Sequence, residues 1–256
     1  MNVPIYVFSA PWFGFVAVLA LVGVAFYGIG RRLGEVGRRN LLIGATVGNL
    51  ICFGLYMVGL STQGDFPPSV VYNMPLQLCS LVTFSLIPAI IFRVNWLRGL
   101  CYFIGCLAGF LALFSPATGI EGVGVFTPLA IGFFGSHGMN VVIGALIAAL
   151  GLYQPSYREA FKTLGWFGVL AGIMAVFNIG VRATIAANAN YFYFFDPEGA
   201  DILVALHNLV GLPIVYLLPV LPLLIVVLLL QAAIYRSGSR LAGRLATRWG
   251  ARPANP

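Results

Sequence analysis

Seven long apolar stretches dominate this sequence and constrain its fold more than any other feature. They fall near residues 11–30, 41–60, 72–92, 99–114, 126–150, 164–186 and 208–234. An α-helix rises 1.5 Å per residue, so about 20 apolar residues cross a hydrocarbon layer roughly 30 Å thick. A helix also satisfies its own backbone hydrogen bonds in lipid. The stretches therefore predict an all-α fold, a polytopic membrane helix bundle with seven transmembrane helices.

The composition supports the same class and divides the chain in two. Hydrophobic residues make up 60% and charged residues 8% of the 256 positions, which excludes a soluble globular domain. Residues 1–235 are predicted to form the transmembrane domain, and residues 236–256 a basic amphipathic tail. Arginine recurs at every fourth position from Arg236 to Arg252. We expect this tail to bind anionic lipids of the inner leaflet, at about 1 kcal/mol per Arg.

The distribution of positive charge predicts the topology. Thirteen of the fourteen Lys and Arg residues fall in loops on one side of the predicted spans, or in the tail, so the net charge of +7 indicates membrane topology rather than nucleic-acid binding. They are Arg31, Arg32, Arg38, Arg39, Arg93, Arg98, Arg158, Lys162, Arg236, Arg240, Arg244, Arg248 and Arg252. The positive-inside rule then predicts an outside amino terminus and a cytoplasmic carboxyl terminus, in a bacterial cytoplasmic membrane.

Three reactive or ionisable side chains lie inside predicted spans: Cys79, His137 and Arg182. An ionisable group in hydrocarbon costs several kcal/mol unless it has a partner or faces a polar cavity, so such residues point to a functional site. Burial makes a thiol inert, and a nucleophilic cysteine needs a base or a cation nearby. Cys79 is therefore either a small structural residue or a nucleophile activated by another group.

Polar residues accompany each of the three. Gln77 and Ser80 flank Cys79, and Thr83 lies one helical turn beyond it, which indicates a cavity or a polar helix contact. Asn140 shares a helix face with His137, which is either a satisfied hydrogen-bonding residue or the base for the thiol. Glycines recur around this histidine and predict close helix packing; they are Gly132, Gly135 and Gly138.

Arg182 shares a helix face with Asn178 near the outer end of the sixth span. A guanidinium grips a phosphate or carboxylate in bidentate fashion, so the pair predicts a site for a lipid head group. The alternative is an ion pair with Asp196, Glu198 or Asp201 in the following loop. His207 is placed at the start of the last span, with a structural role. The cysteines lack C-x-x-C or zinc-site spacing, so neither metal nor cofactor is predicted.

Four short motifs resemble a known family over roughly residues 70–216. They are Pro75-Leu76-Gln77-Leu78-Cys79, Ser136-His137-Gly138, Asn190-Tyr191 and Leu212-Pro213-Ile214-Val215-Tyr216. They look like the YwaF-type integral membrane proteins, which include animal transmembrane protein 164. The resemblance implies an intramembrane acyltransferase whose cysteine takes an acyl group from a phospholipid with the help of a histidine. Carried over, the cysteine is Cys79 and the histidine His137, and Asn190 and Tyr191 join the substrate-binding residues.

The resulting hypothesis is a thioester mechanism in the outer half of the membrane. His137 removes the thiol proton as Cys79 attacks a lipid ester, and a side chain donates a hydrogen bond to the oxyanion. The candidate donors are Asn140, Gln77 and Ser80. The acyl group then passes to a lysolipid or another acceptor, whereas transfer to water makes the protein a lipid hydrolase. A lipid or small-molecule transporter, or a binding module, remains an alternative that uses the same polar cavity.

Overall fold

The structure is a computed structural model that describes residues 3–63, 74–115, 120–198 and 201–248. In these ranges the fold is all-helical, with a single antiparallel bridge between Pro4 and Gly124. The helices are α1 Ala10–Gly30, α2 Glu35–Gln63, α3 Leu78–Ile91, α4 Asn95–Phe114, α5 Pro128–Ala149, α6 Tyr157–Thr184, α7 Asp201–Val210 and α8 Val220–Arg248. Within α4, a π-helical segment spans Leu100–Gly105.

Among the described residues, six helices are long and apolar enough to cross a membrane: α1, α2, α4, α5, α6 and α8 with the short 3-10 turn before it. The chain is therefore a multi-pass membrane protein. The third predicted span, 72–92, is shorter than expected, because α3 has 14 residues and extends only about 21 Å. Its start is delayed because Gln77 is extended, with φ −66° and ψ 152°. A helix of this length is roughly 9 Å shorter than the hydrocarbon layer is thick.

Helix α5 forms the centre of the bundle, and α1, α2, α3 and α4 all pack against it. Its glycines allow these approaches, as predicted. A Cβ atom at Gly132 would overlap the backbone of Tyr56, and one at Gly135 would lie 2.7 Å from the Cys52 sulfur. At Gly144 it would lie 2.6 Å from a carbonyl of α4. The residues around His137 are therefore held by backbone-to-backbone packing.

Two ends of the bundle are defined by their charges. At the first, which we call the basic end, Arg38 donates hydrogen bonds to the Gly30, Leu33 and Leu150 carbonyls. Arg93 forms an ion pair with Glu35 there. The other, which we call the acidic end, carries Asp196 and Glu198. There the amino-terminal segment pairs with residues 122–125. The basic loops thus gather on one side of the helices, where the guanidinium groups satisfy the last carbonyls of several helices.

Helix α4 begins at Asn95, four residues before the predicted start of this span. Arg98 therefore lies within the helix and is only 8% exposed. Its guanidinium donates to the Ala89 carbonyl at 3.0 Å and to the Leu152 carbonyl at 2.6 Å. The prediction of a loop arginine was wrong because these two carbonyls, at the ends of other elements, satisfy the charge inside the protein.

The last predicted span, 208–234, is interrupted. His207 belongs to the separate helix α7, which ends at Val210 and is followed by Gly211 with φ 69°. A break is expected here because Pro213 cannot continue a helix. Helix α8 then runs unbroken to Arg248, so the predicted tail begins inside this helix rather than after it. Residues 249–256 lie outside the described ranges.

Candidate functional site

Cys79 is the second residue of α3 and lies at its amino terminus. The first hydrogen bond of this helix runs from the Leu81 N–H to the Gln77 carbonyl. The N–H groups of the three residues from Leu78 to Ser80 therefore have no acceptor within the helix. The sulfur of Cys79 lies next to its own N–H. The start of α3 thus presents a thiol and several backbone donors at one point of the bundle.

A buried polar network joins this turn to α5 and α2. Asn140 Nδ2 donates to the Cys79 carbonyl at 3.1 Å, and Asn140 Oδ1 accepts from Asn49 Nδ2 at 2.8 Å. The Thr83 hydroxyl lies 3.0 Å from the Cys79 carbonyl and 3.1 Å from Asn140 Oδ1. Asn49, Thr83 and Asn140 are at most 1% exposed. The network therefore fixes Cys79 against the helix that carries His137.

His137 is buried, and its hydrogen bonds indicate its tautomer. Nδ1 lies 2.8 Å from the Phe133 carbonyl oxygen and 3.4 Å from Ser136 Oγ. A carbonyl only accepts, so in the neutral ring Nδ1 carries the proton and Nε2 keeps its lone pair. This is the form that a general base requires.

Tyr56 of α2 is a neighbour that the sequence did not indicate. Its ring packs edge-to-face on the His137 imidazole, with centroids 5.8 Å apart and planes at 82°. The Tyr56 side chain lies in the same region of the bundle as Cys79 and Glu198. Within the described ranges, no hydrogen bond joins the thiol and the imidazole directly. Asn140, three residues after His137 on α5, bonds the Cys79 carbonyl, and Tyr56 packs on the His137 ring.

The 190–198 loop packs against the start of α3 and is held there by amide side chains. Gln77 Nε2 donates to the Asn190 carbonyl at 3.2 Å, and Gln77 Oε1 accepts from the Phe192 N–H at 3.0 Å. Asn178 donates to the Met174 and Tyr191 carbonyls and accepts from the Tyr191 N–H. The side-chain amides of Gln77 and Asn178 therefore position the loop by bonding its backbone.

Asn190 organises the loop from within. Its Nδ2 donates to the Asp196 carbonyl at 2.7 Å and to Glu198 Oε1 at 2.8 Å. Its Oδ1 accepts from the Phe195 and Asp196 N–H groups at 2.9 and 3.2 Å. Phe192 and Tyr193 adopt left-handed backbone angles, with φ 62° and 58°. Such angles cost about 1–3 kcal/mol per residue, and the surrounding hydrogen bonds offset that strain.

Ionisable groups of the loop share the environment of Cys79. Burial raises the pKa of Tyr193, and Glu198, Cys79, Tyr56 and Tyr216 raise it further. The Tyr216 hydroxyl donates to the Tyr193 carbonyl. Burial also raises the pKa of Glu198, opposed by its bond to Asn190 and aided by Asp196. The loop therefore places neutral phenols and a carboxyl group of raised pKa near the thiol.

Arg182 ends α6 beside the loop. Its Nη1 donates to the Ala189 carbonyl at 2.9 Å, and its guanidinium lies over the Phe195 ring at 4.3 Å from the centroid. It forms no ion pair with Asp196 or Glu198, whose side chains are both described; the side chain of Asp201 is not. A guanidinium has five N–H donors, so others remain for a ligand.

Sequence comparison identifies the family of this protein. The TMEM164 family profile matches residues 6–232, which is most of the 256-residue chain, so the chain belongs to the TMEM164 family. This match confirms the resemblance seen in the short motifs. No curated protein sequence matches the chain. No solved structure matches it either.

Proposed function

We propose that this member of the TMEM164 family is an intramembrane lipid acyltransferase that carries the acyl group on Cys79. The observation that supports the proposal best is the position of this thiol. It lies at the amino terminus of a helix that begins inside the bundle, and Asn140 ties that helix to the one bearing His137. A nucleophile, backbone donors and a candidate base thereby occupy one buried region.

In the first half-reaction, Cys79 attacks an ester carbonyl of a phospholipid. The thiol proton moves to Nε2 of His137, directly or through the Tyr56 hydroxyl, and a sulfur–carbon bond forms. The tetrahedral intermediate collapses by breaking the ester carbon–oxygen bond. The departing lysolipid alkoxide takes the proton back from His137. The products are an acyl-thioester on Cys79 and a neutral lysolipid.

The oxyanion of this intermediate needs hydrogen-bond donors. Backbone N–H groups of Cys79 and Ser80 suit the task, because they have no acceptor in α3 and lie at the positive end of its dipole. Such a donor contributes about 2.7–4 kcal/mol to the transition state. Asn140 and Gln77, by contrast, assist by holding Cys79 and the 190–198 loop.

In the second half-reaction, an acceptor hydroxyl or amine attacks the thioester. His137 takes the acceptor's proton, the new ester or amide bond forms, and the sulfur leaves and regains that proton. A second lysolipid is the acceptor that we favour, because its free hydroxyl lies at the head-group level of the same membrane. The 190–198 loop limits water at the thioester, which favours transfer over hydrolysis.

We place the phosphate of the donor lipid at Arg182. Its partly exposed guanidinium lies beside the loop that contacts Cys79, and it retains free donors. Asn178, Asn190 and the backbone of Tyr191 support this site by fixing the loop. We propose that the protein resides in a bacterial cytoplasmic membrane with the site toward the outer leaflet. The basic residues at the end of α8 then meet anionic lipids of the inner leaflet.

Intact-mass spectrometry of the purified full-length protein, incubated with a phospholipid of defined chains, tests the mechanism. We expect a mass increase equal to one acyl chain, lost on adding lysolipid and absent in Cys79→Ala. The matched control is Cys52→Ala, which removes another partly buried thiol. Release of free fatty acid even with lysolipid present would indicate a hydrolase. An unmodified protein whose lipid movement survives Cys79→Ser would indicate a transporter.

A further inference from the structure

A cavity lies at the basic end, between the first turn of α4 and the start of α6. Its volume is about 300 Å³, which is at the lower limit of typical ligand sites. The cavity is lined by Asn95, Trp96, Glu159, Lys162, Thr163 and Trp166. Cys79 and the 190–198 loop occupy the opposite end of the bundle. The cavity is therefore separate from the proposed acyl-transfer site.

The cavity wall carries one positive and one negative group side by side. Lys162 Nζ lies 2.6 Å from Glu159 Oε1, and the side chains are 52% and 23% exposed. An ion pair this exposed contributes little to stability, so its groups exchange partners at low cost. A ligand with adjacent negative and positive charges would match both.

The start of α4 adds a preference for an anion. Val94 is its N-cap residue and provides no side-chain hydrogen bond to the helix. The first backbone bond is donated by Arg98 to the Val94 carbonyl, so the N–H groups before it, including that of Asn95, have no acceptor within the helix. Exposed N–H groups at a helix start attract phosphate. Asn95 itself lines the cavity.

A buried donor lies behind the cavity. The Tyr153 hydroxyl lies beside Thr163 and Glu159, which both line the cavity. Its residue is 5% exposed. Gly99 leaves room for this arrangement, because a Cβ there would lie 2.6 Å from Thr163 Oγ1 and 2.9 Å from the Tyr153 oxygen. Tyr153, Thr163 and Glu159 thus make one side of the cavity wall polar, which favours a polar ligand.

Two tryptophans indicate the level of the cavity in the membrane. Trp96 and Trp166 stack with centroids 5.1 Å apart and planes at 29°, and they are 42% and 46% exposed. Exposed indoles on transmembrane helices concentrate at the level of lipid head groups. The basic residues of the same end, such as Arg93 and Arg158, lie at the level that meets phosphates.

We propose that this cavity binds the head group of a zwitterionic phospholipid from the leaflet at the basic end. The phosphate lies toward Lys162, Asn95 and the start of α4, and the ammonium lies toward Glu159 and the indole faces. Anionic lipids lack the group that Glu159 recognises, and a soluble head group lacks the acyl chains that hold it at the indole level. The lipid bridges α4 and α6 where the two helices meet at the membrane surface.

The test uses full-length protein in nanodiscs that contain phosphatidylethanolamine with a photoactivatable group on an acyl chain next to the glycerol, so that the ammonium stays free. Crosslinked residues are located by peptide mass spectrometry. We expect adducts within residues 95–99 and 157–166. Lys162→Gln should lower the yield at least about fivefold, while Arg158→Gln, which removes a nearby exposed charge outside the cavity, should leave it unchanged. Acyl transfer should be the same in both variants.

One variant comparison and two competition results would each overturn the proposal. Equal crosslinking in Lys162→Gln and Arg158→Gln would mean that the cavity does not select the lipid. Equal competition by phosphatidylglycerol would show that negative charge alone is bound. Full competition by soluble glycerophosphoethanolamine would assign the site to a soluble molecule. Because the readout is the position of an adduct, it is independent of whether Cys79 forms a thioester.

Discussion

Four amide side chains shape the neighbourhood of Cys79 by bonding backbone groups. Gln77, Asn178 and Asn190 bind the 190–198 loop, and Asn140 binds the carbonyl of Cys79 itself. Each bond contributes about 0.5–1.5 kcal/mol, so the set is comparable to the strain of two left-handed residues. The amides consequently hold the thiol and the loop in one arrangement.

Alanine variants of the two histidines test whether His137 is the base of the proposed reaction. His137→Ala should slow formation of the acyl adduct by about 10²- to 10⁴-fold, because the buried thiol keeps its proton. His207→Ala is the matched control. The His207 ring, on α7, packs on the Tyr216 ring with centroids 5.0 Å apart, and the variant should retain the wild-type rate. Time-resolved intact-mass measurements give both rates. An unchanged rate in His137→Ala would assign the base to another group.

The pH dependence of stability is predicted from Glu198. Its pKa in the folded protein is raised from the ordinary 4.5, chiefly by burial. The folded state therefore binds the Glu198 proton more tightly than the unfolded state does. The stabilisation by this proton is fully present below about pH 4.5 and is lost as the pH rises through the pKa of Glu198 in the folded protein. Glu198→Gln keeps an acceptor for Asn190 without the charge.

We expect the melting temperature of the wild-type protein to be higher near pH 5 than near pH 8, and that of Glu198→Gln to vary much less. At pH 8 the variant should melt higher than the wild type. Glu121→Gln, which neutralises an exposed carboxylate of the same end, should leave the pH dependence intact. A wild-type protein that gains stability as the pH rises from 5 to 8 would contradict this assignment.

The residue types of the site follow from the sequence, but most of their partners do not. A thiol, an imidazole and a guanidinium inside apolar stretches are visible without a structure, because each is costly in hydrocarbon. The Gln77 amide meets residues 113 and 115 positions away in the chain, and no local pattern contains that pairing. Tyr56 was missed because a tyrosine in an apolar helix resembles ordinary core.

At the scale of elements, the position of Cys79 results from where α3 begins. The predicted span started at residue 72, which would have placed Cys79 two turns inside a helix with all backbone groups paired. The observed start at Leu78 instead leaves backbone donors beside the sulfur. Hydropathy cannot locate the start of α3 at Leu78, because the apolar stretch already begins several residues before it. The side chain of Gln77 is bonded to a distant loop and holds its own backbone extended.

Close packing around α5 predicts an asymmetric response to added methyl groups. Gly132→Ala should destabilise the protein by about 1–3 kcal/mol or more, because the new Cβ meets the backbone of Tyr56, which cannot rotate away. In Gly165→Ala the Cβ meets nothing within 4 Å, so this variant should be neutral or more stable by up to about 1 kcal/mol. Thermal unfolding in the same detergent compares them. Equal melting temperatures would contradict the packing.

The attachment of the 190–198 loop gives a second prediction for elements. Gln77→Ala removes two hydrogen bonds between α3 and the loop, so hydrogen exchange in the loop should accelerate roughly tenfold and acyl transfer should fall. Thr184→Ala removes one hydrogen bond at the exposed end of α6 and should change neither. Exchange measured by mass spectrometry separates the loop from the helices. A loop that exchanges equally in both variants would mean that Gln77 does not hold it.

At the scale of the whole molecule, charge organises the two ends of the bundle. The sequence predicted that the basic loops share one side, and the contacts of Arg38, Arg93 and Arg98 bring these loops together. Two of these arginines also satisfy helix carbonyls inside the protein. The same residues that select the topology therefore also close the helix ends, a function that charge counting does not reveal.

The topology itself is the last prediction. The amino-terminal segment pairs with residues 122–125 at the acidic end, whereas Arg236 of α8 lies over Tyr157 at the basic end, 4.9 Å from its ring centroid. From these contacts we predict that the two termini lie on opposite sides of the membrane. Because basic loops stay in the cytoplasm, a reporter before Met1 should be external and one after Pro256 cytoplasmic.

Replacing the four arginines between α1 and α2 with glutamine weakens that bias and should produce a mixed population; they are Arg31, Arg32, Arg38 and Arg39. Changing Arg182 to glutamine removes a charge at the acidic end and should leave the orientation intact. Two reporters on the same side of the membrane would contradict an odd number of crossings. In that case α3, with its 14 residues, would be the helix that fails to cross.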